Sequence, residues 1–339
     1  MLSQRLFAFF ALFMVIPIGQ FEFDDFFKEK IAFKPQPVSI SPKDDAYHGP
    51  YHIPTTEWWY FDAIFENNYS LHIGIRTFSR WGFGFAMSCM EIYKEGKLIS
   101  KSSRILPFSS LHISKKFPSI TLPDKPIMVF DVQEYKSSGR WKYHIEMEFD
   151  SCKARLDFTG ETRGWKIETP AESWCVALPR ARVEGNLQFD GKSMDVRGIG
   201  YHDHNWNYSL LTVMRYGKGW FWGRINSENF TIVWASIIKD GRDNIAIVNK
   251  KEGDYLCARE VKFEIKRFKN NLPSAFRLRF KGKGVEGDIS LFSKEMHREK
   301  VVLLLPYCRY HAESEGFIRV DSIEERTGGL HIMEFLSFG

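Results

Sequence analysis

The stretch WWYFDAIFENNYSLHIGI, Trp58 to Ile75, decides the fold. Its side chains alternate with a period of two, and the Asn-containing ENN breaks it in the middle, which is the pattern of two strands joined by a turn. A related pattern begins at Trp220, in WFWGRINSENFTIVWASI. There too an aromatic-rich strand leads through an Asn-containing turn, SEN, into an apolar strand. One such hairpin at the head of each half predicts two antiparallel β-barrel-like halves joined near residues 210 to 216. Two β-sandwiches fit the strand pattern as well. A barrel closes its edges and leaves a lumen, so it suits a hydrophobic ligand better.

The period of two extends through most of the chain. SLHIGIRTF, FAMSCMEIY, IMVFDVQEY, WKYHIEMEF, KARLDFTGE and VEGNLQFDG read as strands in the first half. IAIVNK, KFEIKRF, FRLRFKG, GDISLFS and GFIRVDSIEE continue the pattern in the second. KEGK and DGKS read as hairpin turns, because Gly there takes a positive φ at low cost. Helical patterns are nearly absent. The expected fold is all-β: two tandem lipocalin-like domains, 47–212 and 213–339, behind an N-terminal apolar segment and linker, 1–46.

That N-terminal segment carries an uncharged run from Leu6 to Phe21, short of the roughly 20 residues a spanning helix needs. It resembles a signal-peptide core but lacks an A-x-A cleavage site. Export signal, retained anchor, amphipathic helix and misassigned start all stay open. The first two place the protein outside the cell or at a membrane, with peripheral membrane association; the others place it in the cytoplasm. Phe23, Phe26, Phe27 and Ile31 follow at near-helical spacing.

Composition narrows the chemistry. A chain of 339 residues with 44% apolar residues builds a sizeable core, and 16% aromatics suits either a β-rich core or an apolar ligand. The net charge of +5 is modest. Its excess lies between Lys250 and Lys300, where the charges alternate with Phe, Val and Leu as on a half-solvated strand, and no nucleic-acid motif accompanies it. The five cysteines are scattered without a CxxC, which fits no zinc ribbon or redox motif and suits buried small hydrophobes. No P-loop is present, and no cofactor is implied.

Two stretches carry candidate site residues. In EWWYFD, Glu57, Trp59 and Phe61 share one strand face, while Trp58, Tyr60 and Asp62 share the other. Both faces carry large rings and a carboxylate, so this strand lies between two packed surfaces. In GYHDHNWN, Tyr201, Asp203 and Asn205 share one face, and His202, His204 and Trp206 the other. His202 and His204 have the spacing of an H-x-H metal pair. A further ligand would have to come from His48, His52, His72 or His311, and nothing in the spacing ties any of these to the pair. The Asp203 face reads differently. An aspartate among rings in an apolar cavity has a raised pKa, can act as a general acid, and is surrounded by π-faces that stabilise a carbocation. The alternative is that Asp203 accepts hydrogen bonds at a structural junction.

PTTEWWYFDA, SWCVALPRARVEGNLQFDGKSMDVRG and GYHDHNWN, in that order, resemble the hydroxyneurosporene synthase (carotenoid 1,2-hydratase) family and the related AttH-like two-domain lipocalin-like proteins. The resemblance runs from about Tyr51 to the C-terminus. ERTGG, Glu325 to Gly329, is similar to the family's closing Glu-Leu-Thr-Gly-Tyr, with Arg326 and Gly329 as the changes. It implies two lipocalin-like barrels with an apolar pocket near their junction. It also implies acid-catalysed addition of water to an isoprenoid double bond, with Tyr201, Asp203 and Trp174 in the site. The hydratase branch has a His where this chain has Glu172, and a carboxylate cannot replace an imidazole donor. Related members include pericyclic catalysts and proteins without an assigned activity, so the fold leaves the chemistry open.

The expected function is therefore binding of a long isoprenoid or lipid, lined by Glu57, Trp58, Trp59, Tyr60, Glu172, Trp174, Asn205 and Trp206. Asp203 and Tyr201 would catalyse hydration, cyclisation or isomerisation of an alkene. A carrier without chemistry and a metal enzyme using His202 and His204 are the alternatives.

Overall fold

The computed structural model describes residues 36–169, 172–209, 212, 218–239, 241–301 and 305–337. The apolar run Leu6–Phe21, the helical spacing at Phe23–Ile31 and most of the expected connection at 210 to 216 lie outside these residues. Among the described residues, no helix is long and apolar enough to cross a membrane.

The described residues form 23 strands in two antiparallel sheets. The first contains β1 (Val38–Ser39), β2 (Thr55–Phe65), β3 (Tyr69–Arg80), β4 (Phe83–Lys94), β5 (Lys97–Pro107), β6 (His112–Ile113), β7 (Ser119–Thr121) and β8 (Pro126–Phe130). It continues with β9 (Lys142–Glu148), β10 (Cys152–Gly160), β11 (Trp165–Glu168), β12 (Ser173–Phe189) and β13 (Lys192–Tyr208). The second contains β14 (Gly219–Asn226), β15 (Phe230–Lys239), β16 (Gly241–Lys250), β17 (Tyr255–Cys257) and β18 (Glu260–Lys269). It is completed by β19 (Leu272–Gly282), β20 (Val285–Val301), β21 (Leu305–Val320), β22 (Ile323–Thr327) and β23 (Leu330–Ser337).

The strand orders repeat. The first sheet runs β5-β4-β3-β2-β13-β12-β10-β9-β8-β7-β6, and the second runs β17-β16-β15-β14-β23-β21-β20-β19-β18. Both are meanders whose last long strand returns to pair with the first. Each sheet curls back on itself. Arg104 Nη2 donates to the Glu148 carbonyl at 2.9 Å across the seam of the first, and Asn244 Nδ2 to the Val261 carbonyl at 3.1 Å across the second. The expected all-β architecture of two tandem barrel-like domains is the one found.

The hairpin turns form where Gly and Asn permit them. Glu95–Gly96 and Asp190–Gly191 both take positive φ, as a two-residue turn between twisted strands requires. IMVFDVQEY is a correction to the reading above. Only Pro126–Phe130 is a strand, and Val132–Ser138 is a single α-helix. Asp131 caps it, accepting from the backbone N–H of Gln133 and Glu134, a local signal that outweighs the alternating pattern.

Three cores result. Trp59, Phe61, Ile73, Met90, Tyr143 and Phe158 pack inside the first barrel, and Phe221, Trp234, Phe263, Phe276 and Tyr310 inside the second. Tyr60, Trp165, Tyr201, Trp222, Val233 and Ile332 fill the junction, where the outer faces of the two sheets meet. The strand Thr55–Phe65 thus does lie between two packed surfaces. All five cysteines are free; Cys152, Cys175 and Cys308 are buried. The basic stretch forms an outward ladder, with Arg277 on Asp288 and Arg279 on Glu264.

Candidate functional site

Strand register assembles the site on the outer face of the first sheet. Neighbouring strands bring Arg76, Trp58, Asn205 and Trp174 into one row, from β3, β2, β13 and β12 respectively. The next row holds Gly74, Tyr60 and Asp203, and the one after it His72, Asp62 and Tyr201. Opposite Asp203 the β12–β13 ladder is irregular. His204 pairs with Cys175 and His202 with Leu178, so three steps on β12 face two on β13. Such bulges re-aim side chains. Here the Trp174 indole comes to bear on Asp203.

The Asp203 carboxyl is buried and receives three neutral donors. Trp174 Nε1 donates to Oδ2 at 2.8 Å, Tyr201 Oη donates to Oδ2 at 2.7 Å, and Asn205 Nδ2 donates to Oδ1 at 3.3 Å. Among the described residues, no lysine or arginine forms a hydrogen bond or ion pair with it. Burial pushes its pKa up to about 7, although the Trp174 and Tyr201 donors pull it down. Oδ2 is saturated by two donors, so a proton on this carboxyl resides on Oδ1, which the long Asn205 contact leaves nearly free. Rings close around it: Tyr201 and Trp222 centroids are 5.0 Å apart, Tyr60 and Trp222 5.4 Å, and Trp165 and Trp174 5.1 Å. Trp58, Trp174, Asn205, Tyr208 and Trp220 are half-buried, which gives this corner of the junction access to solvent.

The internal repeat supplies a control within the same molecule. Tyr60 on β2 faces Asp203, and Trp222 at the matching place on β14 faces Glu334. Glu334 is ion-paired with the buried Arg309. The two halves therefore hold a carboxylate at equivalent positions, one neutralised by a guanidinium and the other held only by neutral donors.

The opposite face of β13 points into the first barrel. His202 Nε2 lies 2.9 Å from Asp45 Oδ2, its Nδ1 2.9 Å from the Tyr60 carbonyl, and His204 Nε2 2.8 Å from Glu57 Oε1. Tyr143 donates to Asp45 at 2.6 Å, and Tyr51 donates to Glu57 at 2.5 Å. Trp59 stacks on His204 at 4.4 Å, and Trp206 on His48 at 3.8 Å. Of the site residues read from the sequence, Trp58, Tyr60, Trp174, Tyr201 and Asn205 thus gather with Asp203, whereas Glu57, Trp59 and Trp206 lie inside the barrel with His202 and His204. Glu172 sits nearer the Tyr208 hydroxyl, whose pKa it helps to raise. Among the described residues, the His/carboxylate group close enough to hold an ion is Glu91, His297 and Glu299, without His202 or His204. The Lys101 ammonium already sits in it, 2.7 Å from Glu91.

Sequence reading missed Arg76, Tyr208, Trp220, Trp222 and the Glu334–Arg309 pair. The repeat could have supplied two of them, because aligning Trp58 with Trp220 also aligns Tyr60 with Trp222.

The fold and the junction define an all-β protein of two tandem barrel-like domains. No family model and no curated protein sequence matches the chain. Solved structures share its fold. A protein assigned as AttH from Nitrosomonas europaea (NE1406) aligns at TM-score 0.60 and 14% identity, over 88% of this chain and 97% of that one. CghA in complex with Sch210972 aligns at 0.59 and 11%, over 84% and 88%. Kievitone hydratase from Nectria haematococca aligns at 0.53 and 13%, over 91% and 99%. The fold implied by the AttH-like and hydratase-like resemblance is the one this chain adopts.

Proposed function

We propose that the protein binds a long apolar molecule, an isoprenoid or lipid, at the barrel junction and adds water across one of its double bonds. Asp203 is the acid. Protonated at Oδ1, it delivers that proton to the alkene; the π-electrons form the new C–H bond and leave a carbocation. The faces of Tyr60, Tyr201, Trp174 and Trp222 offset that charge. Water attacks the cation, its extra proton returns to the carboxylate, and the net change is addition of one water. Cyclisation or proton loss from the same cation gives the related outcomes. One neighbour of the same fold is a hydratase, kievitone hydratase, and that supports hydration among these.

The observation that carries the reading is a buried carboxyl with a pKa near 7 and only neutral donors, set among rings. Native mass spectrometry of protein purified from its own host tests it. Bound species differing by the mass of one water indicate turnover, and a single unchanged lipid indicates a carrier. On the substrate so identified, Asp203→Asn is expected to abolish turnover and keep binding. Wild-type turnover is expected to decline as pH rises through about 7, since the protonated carboxyl is the reactive form. Full activity in Asp203→Asn removes Asp203 from the mechanism.

A further inference from the structure

Arg76 differs from the other arginines packed near the junction. Arg180 pairs with Glu161, Arg224 with Asp62 and Arg309 with Glu334. Arg76 is half-buried at the open corner of the site; among the described residues its guanidinium makes no ion pair or hydrogen bond and stacks over Trp58, 5.3 Å from the ring centroid. A guanidinium withdrawn from water without a carboxylate forgoes its strongest partner. Beside it the Tyr208 ring meets Trp58 edge-on at 5.2 Å, and the Tyr208 hydroxyl is buried with no hydrogen-bond partner. Burial raises the pKa of that hydroxyl, as does nearby Glu172, while Arg76 lowers it. A cation and a side chain with an unused O–H donor thus both pack on the Trp58 ring at the rim of an aromatic site. Buried donors of this kind are normally satisfied.

We propose that Arg76 and the Tyr208 hydroxyl together bind an oxyanion of the ligand, such as a carboxylate, so that the ligand is an amphipathic acid and not a neutral hydrocarbon. The proposal rests on the reading of the junction as the ligand site. Arg76 and Asn205 share a cross-strand row with Trp58 between them. Two strand spacings of about 4.8 Å place the head group on the order of 10 Å from the acid's strand. The reacting double bond then sits at that distance along the chain from the acid group, over the rings of Trp58 and Tyr60.

Retinoic acid and retinol test this, because they share one isoprenoid skeleton and differ only in the terminal group. Binding to the full chain is read by quenching of tryptophan fluorescence. Wild type is expected to bind retinoic acid about tenfold more tightly, the scale of one charge-assisted contact at a half-exposed site. That preference should shrink in high salt. Arg76→Gln should lower retinoic acid to the retinol level and leave retinol unchanged, while Arg76→Lys should keep part of the preference. The Tm of each variant shows whether it is folded. Equal binding of both ligands by wild type, or equal weakening of both in a folded Arg76→Gln, overturns the anchor and leaves the ligand site standing. Binding of neither ligand overturns both.

Discussion

Asp203 and Glu334 show how two carboxylates at equivalent positions acquire different chemistry. Glu334 has Arg309 beside it, whereas Asp203 is left with an indole, a phenol and an amide. The difference reaches stability as well as activity. The folded pKa of Asp203 lies near 7, above the 3.8 of an aspartate free in water. Its contribution to stability is therefore complete below about pH 4 and is lost as pH rises through about 7. Asp203→Asn does not ionise, so its stability relative to wild type should increase between pH 4 and pH 8, by up to ~4 kcal/mol for a shift of this size. Urea unfolding of both proteins at several pH values measures this, and a constant difference would mean Asp203 is ionised throughout. Much at this scale was legible in the sequence. Strand alternation separated Tyr201, Asp203 and Asn205 from His202 and His204. What alternation cannot give is the third dimension. Nothing in the local pattern shows that Glu57 closes a hydrogen bond to His204 inside the barrel, or that Trp174 donates to Asp203 from across a bulge.

Among the elements, the long paired strands β12 and β21 are the clearest repeat. Glu184-Gly185 on β12 and Glu315-Gly316 on β21 each lead, five residues beyond the Gly, to an Asp at a turn, Asp190 or Asp321. Both glycines have the same backbone, φ 152° and 153°. A Cβ at Gly185 would lie 2.0 Å from the Arg155 carbonyl oxygen, and one at Gly316 2.1 Å from that of Asp288. At both places the strand runs so close to its neighbour's backbone that only a residue without a side chain fits. Gly185→Ala should destabilise by ~2 kcal/mol or more, since the clash is with backbone. An unchanged denaturation midpoint would show that the strand can shift at no cost. The EG…D spacing is present in the sequence, but it carries no hydrophobic periodicity, so alternation alone does not reveal it. The helix at Val132 was misread for the opposite reason: the capping contacts of Asp131 override an apolar run that looks like a continuing strand.

In the whole molecule, the two barrels are joined through the first strands of their hairpins. Asp62 on β2 and Arg224 on β14 occupy matching places in the two aromatic stretches and are both buried, with Arg224 Nε 2.9 Å from Asp62 Oδ1. The Tyr60 hydroxyl lies 3.0 Å from Asp62 Oδ2 and 2.9 Å from Glu334 Oε1, donates to one of them and accepts from Arg309 Nη2 at 2.8 Å. It thereby connects one cross-barrel pair to the other. The Asp203 site depends on this joint, because Tyr201 lies directly across the ladder from Asp62 and packs against Trp222 of the second barrel. Asp62→Ala leaves Arg224 buried without its partner and should cost about 3–5 kcal/mol, whereas Asp62→Leu combined with Arg224→Met should cost far less, since two apolar residues need no compensation. If the pair only joins the barrels, the double variant should keep near-normal stability and ligand binding. If its charge also orients Tyr60 and Tyr201, the double variant should stay folded but bind ligand less well. Denaturation and fluorescence titration of the same three proteins separate these outcomes, and a single variant no less stable than wild type would mean that Arg224 finds water or another acceptor when Asp62 is removed.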